Sequence, residues 1–130
     1  MQKKLKIFIS GPISNDPDYK EKFNKAENEL KKLGFAVMNP AILPPDFDWQ
    51  DYMDITIPMQ NICDISYFLP NWEKSKGAKQ EHFNAEYRLQ PIFYSIKDIK
   101  NALKNNDEEV GGWKPLTKFF ILTVFLLRYF

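Results

Sequence analysis

The stretch ISYFLPNWEKSKGAKQEHFNA, Ile65–Ala85, decides how this chain folds. Its apolar start is stopped by Pro70, and after a short polar loop Ser75 stands where a helix cap would stand, ahead of apolar residues at helical spacing. A buried strand that hands over to a helix is the repeating unit of a parallel sheet covered by helices. The rest of the chain repeats that unit. Leu5–Ser10 is a short apolar run ending at GPIS, which suits a buried strand and a tight loop. From Tyr19, apolar residues recur at Phe23, Ala26, Leu30 and Leu33, one helical face, with Gly34 placed to close it. FAVMNP reads as a second strand, a proline-rich loop leads to a helix capped by Asp48, ISYFLP is the third strand and PIFYS the fourth. The alternation predicts an α/β fold, a flavodoxin-like or Rossmann-like three-layer sandwich with a parallel sheet of four or five strands.

Composition narrows the function classes. The 130 residues suit one domain, and with 44% hydrophobic and 27% charged residues the chain has globular values. Its net charge of +1, with lysines interleaved among acids, argues against a nucleic acid polymer as partner. One cysteine, Cys63, excludes an internal disulfide, and a single histidine, His82, argues against a metal site. A cytoplasmic setting is expected, and no cofactor is called for. The domain is read over 1–104. Beyond it, 105–130 reads as a polar linker and an apolar tail, FFILTVFLLRYF at Phe119–Phe130. A membrane span needs about 20 apolar residues, so the tail reads as a segment packed on the domain or on a second subunit, with an interfacial anchor as the alternative.

Ligands of such sheets bind beyond the carboxyl ends of the strands. That rule selects Ser10 to Ser14, Asn39 and Pro40, Pro70 to Trp72, and Ser95, and the helix opened by Ser75 falls on the same edge. Counting about 100° per residue from Ser75 places Ala78, His82, Ala85 and Leu89 in an inward stripe with Glu81 on its border. A carboxylate there is partly desolvated while the helix dipole favours its charge, a combination that suits a nucleophile. Gly77 and Ala85, one turn either side of Glu81, leave space around it. Ser75 and the free N–H groups of the first turn offer donors to an anion. An ordinary capped helix has the same residue types, and that alternative stays open. His82 reads as a hydrogen-bonded core residue or as an acid. Phe83 and Tyr87 form an aromatic pair on the outer face, the mark of a subunit contact and hence of a homo-oligomer.

The segments KIFISGPIS, NPA, WQDYM, CDISYFLPNWEKSKGAKQEH and PIFY, in that order, resemble the nucleoside 2-deoxyribosyltransferase-like superfamily, in particular a small bacterial and phage branch. The resemblance spans about Lys4 to Ile99, and LPNWEKSKGAKQE is its specific part. It implies an enzyme of N-glycosidic bonds, a nucleotide hydrolase or a deoxyribosyltransferase, in which a Glu attacks C1′ and displaces the base. Glu81 matches that nucleophile. At the position of Ser75, transferases carry an Asp that holds the 5′-hydroxyl, and nucleotide hydrolases carry a Ser beside the 5′-phosphate, so the ligand implied is a nucleoside 5′-monophosphate. Ser10, Gly11, Pro12 and Ile13 match the loop that borders sugar and base. Relatives also place an Asp on the preceding helix, in a position that falls on Ile55–Ile57 here. The inward face of that helix runs through Tyr52, Met53, Thr56, Gln60 and Cys63, so Thr56 takes the acid's place while Asp51 and Asp54 face away. Trp72 is placed to stack on a base or to pack as a lid on the core. Asp64 opens the third strand, at the far end of the sheet, and reads as structural. The rival to an enzyme is a binding module that sequesters a nucleotide in the same pocket. A third reading is an assembly protein built on the aromatic face and the tail.

Overall fold

The structure is a computed structural model and describes residues 3–109. Four strands, β1 (Lys6–Ser10), β2 (Ala36–Met38), β3 (Ile65–Phe68) and β4 (Ile92–Phe93), alternate with helices α1 (Tyr19–Lys32), α2 (Trp49–Asn61), α3 (Lys76–Tyr87) and α4 (Ile96–Glu109). The sheet is parallel throughout, in the order β2-β1-β3-β4. The sandwich read from the sequence is therefore the fold, with four strands.

Strand alternation sorts the two faces. Ile7 and Ile9 of β1 and Ile65 and Tyr67 of β3 join Phe23, Ala26 and Leu30 of α1 and Ile99 of α4 in one apolar cluster. The intervening residues, Phe8, Ser10, Ser66 and Phe68, are also buried. They face the layer formed by α2 and α3, whose buried residues are Met53, Thr56 and Gln60, and Ala78, Glu81 and Ala85. One face of the sheet is thus mainly apolar, and the other carries the hydroxyls of Ser10 and Ser66.

The ends of the elements have local causes. Gly34 closes α1 at φ 96°, a left-handed conformation in which a side chain would be strained. Asp48 caps α2, and Asp51 Oδ2 reaches back to accept the Asp48 N–H at 3.1 Å. Helix α2 continues through Pro58 to Asn61. Asp54 therefore stays on the outer surface, where it accepts from Gln50 Nε2 at 2.9 Å. Asp64 Oδ2 accepts the Lys6 N–H at 2.8 Å, which ties the starts of β1 and β3 at the edge away from the ligand side. Helix α4 runs on to Glu109, past Lys104, where the sequence suggested that the domain ends. The apolar tail lies outside the described residues. Among the described residues no helix is long and apolar enough to cross a membrane.

Candidate active site

Beyond the carboxyl ends of β1 and β2, bounded by α1, α2 and the start of α3, lies a cleft of about 460 Å³. The sheet order places it near the switch between β1 and β3, the position where open α/β sheets hold ligands. Ser10 ends β1 and points to the α2–α3 layer, and there its hydroxyl donates to Glu81 Oε1 at 2.6 Å. Glu81 itself is only 5% exposed, and what exposure it has opens on the cleft. Loss of water pushes its carboxyl from the ordinary 4.5 up to about 7, against the Ser10 hydrogen bond and the nearby Thr56 hydroxyl, which favour the charged form. The Thr56 contact falls short of a hydrogen bond. Among the described residues Thr56 Oγ1 is the buried side-chain polar atom without a partner, an arrangement that costs about 1–3 kcal/mol when nothing answers it.

The backbone beneath Glu81 is held from the side. Gln60 Nε2 donates to the Glu81 carbonyl and to Ser66 Oγ, both at 2.9 Å, and Gln60 Oε1 accepts from Asn84 Nδ2 at 2.8 Å. Every polar atom of this buried amide is therefore engaged. The network locks α2, β3 and α3 together around the carboxylate.

The sequence matches, over residues 5–94, the family described as a domain of unknown function (DUF4406). The chain belongs to this family. No curated protein matches it. The match covers all four strands and helices α1 to α3, so Glu81, Ser10, Thr56, Ser75 and Gly77 all lie inside the DUF4406 region.

Of the residues singled out from the sequence, Gly11, Ile13, Thr56, Ser75, Gly77 and Glu81 line the cleft, and Ser10 touches it through Glu81. Ser75 is the cap of α3: its Oγ accepts the Ala78 N–H at 3.1 Å, and the N–H groups of Lys76 and Gly77 are left for the first turn's surroundings. Gly77 faces α2, where an added Cβ would lie 3.2 Å from Met53 Cε. Two residues are placed differently from the expectation. Pro12 borders a separate hollow, with Tyr67, Leu69 and Lys22. The Trp72 ring stacks on His82 with centroids 4.0 Å apart and packs on Phe68, and it does not line the cleft.

Helix α3 is also turned relative to the sequence count. Its buried residues are Ala78, Glu81 and Ala85, which puts Glu81 within the inward stripe, whereas His82 sits at its edge. There His82 Nδ1 pairs with Glu86 Oε1 at 2.9 Å and Nε2 meets the Tyr94 hydroxyl at 2.7 Å. His82 does not line the cleft and is a packing residue. Leu89 falls past the helix end, at φ 56°. Phe83 and Tyr87 stack on each other and face solvent, as the helical count expects.

Sequence reasoning missed the wall made by the proline-rich loop. Tyr52 Oη donates to the Pro44 carbonyl at 2.7 Å and accepts the Phe47 N–H at 3.3 Å, pinning the chain on either side of Asp46. Asp46 is held there at φ 74°, and among the described residues it and Glu81 are the two carboxylates lining the cleft. At the rim, Lys76 Nζ lies 3.9 Å above the Trp49 ring, bridging the starts of α2 and α3. Cys63 does not line the cleft, and burial pushes its thiol up to about 11. Among the described residues no group of three or more His, Cys, Asp or Glu side chains could hold a metal ion.

Proposed function

We propose that this chain cleaves or transfers the N-glycosidic bond of a nucleoside 5′-monophosphate, as its likeness to the nucleoside 2-deoxyribosyltransferase-like superfamily implies. The observation that carries the reading is Glu81: a buried carboxylate that lines a cleft of about 460 Å³ and is held by a hydroxyl donor at 2.6 Å. When ionised, its oxygen attacks C1′ and a C1′–O bond forms as the C1′–N bond breaks. The base departs with that electron pair and takes up a proton. Water or a second base then attacks C1′, releasing the Glu81 carboxylate. A carboxylate at about 7 is half ionised near neutral pH, which suits a group that must be both a nucleophile and a leaving group.

The phosphate would lie at the start of α3. No Lys, Arg or His lines the cleft among the described residues, so the anion depends on Ser75, the first-turn N–H groups and Lys76 at the rim. Purified protein is incubated with paired ribo- and 2′-deoxynucleoside 5′-monophosphates, and free base is separated from nucleotide by chromatography. Base release by wild type, its loss in Glu81→Ala, and a covalent adduct with a 2-fluoro sugar analogue on Glu81 by intact mass are the expected results. No release from any member of the panel by folded protein would sink the reading.

A second reading, a nucleotide-sequestering module, is favoured by one observation: residues 55–57, where the resemblance implies an acid, hold Ile55, Thr56 and Ile57 and no carboxylate. Its signature is a nucleotide that raises the melting temperature of wild type and Glu81→Ala alike and is recovered intact.

A further inference from the structure

Thr56 is 4% exposed and lines the cleft, yet its Oγ1 has no hydrogen-bond partner among the described residues. The Glu81 carboxylate lies beside it and feels the hydroxyl, but the contact falls short of a hydrogen bond. Gln60, one turn further along α2, is saturated by Ser66, Glu81 and Asn84, and Met53, one turn before, is apolar. Packing alone would be served by a valine of the same shape, which carries no polar atom to leave unanswered. We propose that Thr56 selects the sugar: its hydroxyl pairs with the 2′-hydroxyl of the bound nucleotide, so that the preferred substrate is a ribonucleoside 5′-monophosphate and not its 2′-deoxy counterpart.

The inference rests on Glu81 as nucleophile and follows from distance. Glu81 must touch C1′, and the Thr56 hydroxyl lies beside the Glu81 carboxylate. What Thr56 can reach is therefore on an atom bonded to C1′. On a furanose the choices on the ring are O4′ and C2′. A donor aimed at O4′ would oppose the positive charge that the ring oxygen gains as the base leaves. The 2′-hydroxyl both donates and accepts, and it ends the isolation of Oγ1 without that penalty. A site built to bond a substrate hydroxyl also penalises the analogue that lacks it, because the buried partner is again unpaired.

The test measures kcat/KM for base release from matched ribo and 2′-deoxy pairs with wild type, Thr56→Val and Thr56→Ser. A 2′-hydroxyl intrinsically slows departure of the base, so the quantity read is the ribo/deoxy ratio in each protein. The ratio is expected to fall at least about tenfold in Thr56→Val and to stay near the wild-type value in Thr56→Ser, with Thr56→Val melting no lower than wild type. A ratio unchanged in Thr56→Val, or changed equally in both variants, overturns the assignment. If wild type releases no base from any pair, the glycosidic reading falls and binding decides the role of Thr56. Ribose 5-phosphate should then raise the melting temperature of wild type more than 2-deoxyribose 5-phosphate does, and Thr56→Val should erase the difference. Equal shifts in wild type overturn the proposal independently of turnover.

Discussion

Ser10 does for Glu81 what solvent would do in the open: it supplies a proton to an oxygen that burial has stripped of water. Its hydroxyl is fully buried and donates over 2.6 Å, so it has no competing partner in solvent. A hydrogen bond to a charged group is worth about 1.5–3 kcal/mol, which is roughly one to two pH units of carboxylate ionisation. Ser10→Ala should therefore raise the Glu81 ionisation above its present value near 7 and carry the acid limb of the pH–rate profile upward by about one unit. The loss of activity is expected to be larger at pH 6 than at pH 9. A profile that drops by the same factor at every pH would mean that Ser10 acts on folding or on substrate, and not on this carboxylate.

At the scale of elements, the site depends on how closely α3 can approach its neighbours, and the two glycines of the cleft report on this in opposite ways. A Cβ on Gly77 would meet Met53 Cε at 3.2 Å, the flexible end of a side chain that can move aside. Replacing a helical glycine by alanine gains about 1 kcal/mol of helix propensity. Gly77→Ala should therefore match or exceed wild type in urea denaturation by up to about 1 kcal/mol, while weakening the ligand-induced rise in melting temperature, because the methyl group narrows the cleft. On Gly11 the Cβ would meet Leu69 Cβ at 2.9 Å, next to the backbone of the strand end, and no rotamer change relieves that. Gly11→Ala is expected to lose about 1–3 kcal/mol. If both variants lost stability equally, Met53 would not be yielding as described. What the sequence could not reveal also belongs to this scale. Helical spacing places Ala78, Glu81, His82 and Ala85 on one side of α3, but whether Glu81 or His82 lies deeper depends on a small rotation of the helix. That rotation is set by Gln60 on the Glu81 carbonyl and by Trp72 against the His82 ring, contacts between separate elements that periodicity does not encode. The loop carrying Asp46 was illegible for a similar reason. Its path follows from the Tyr52 hydroxyl bonding two peptide groups, and no local pattern announces a non-glycine residue at φ 74°.

For the whole molecule, the sheet was readable because ISYF, KIFIS and AVM are short runs separated by helix-length segments, and right-handed crossovers leave few ways to assemble them. The polar character of one sheet face was not, since Ser10 and Ser66 look like strand residues of no special kind until Glu81 and Gln60 are laid over them. That face makes the stability of the whole fold depend on pH. The folded protein holds the Glu81 proton up to about 7, whereas an unfolded chain releases it near 4.5. Stability from this group is therefore fully present below about pH 4.5 and is lost as pH rises through 7, a loss of about 3 kcal/mol. Glu81→Gln removes the ionisation and keeps the acceptor for Ser10, while its amide can donate toward the unpartnered Thr56 Oγ1. The variant should differ least from wild type near pH 4.5 and exceed it in stability by about 3 kcal/mol at pH 8, while releasing no base at either pH. Denaturation curves of the two proteins at both pH values decide the point. Curves separated by the same amount at pH 4.5 and pH 8 would show that Glu81 does not bear the desolvation cost that its role as nucleophile demands.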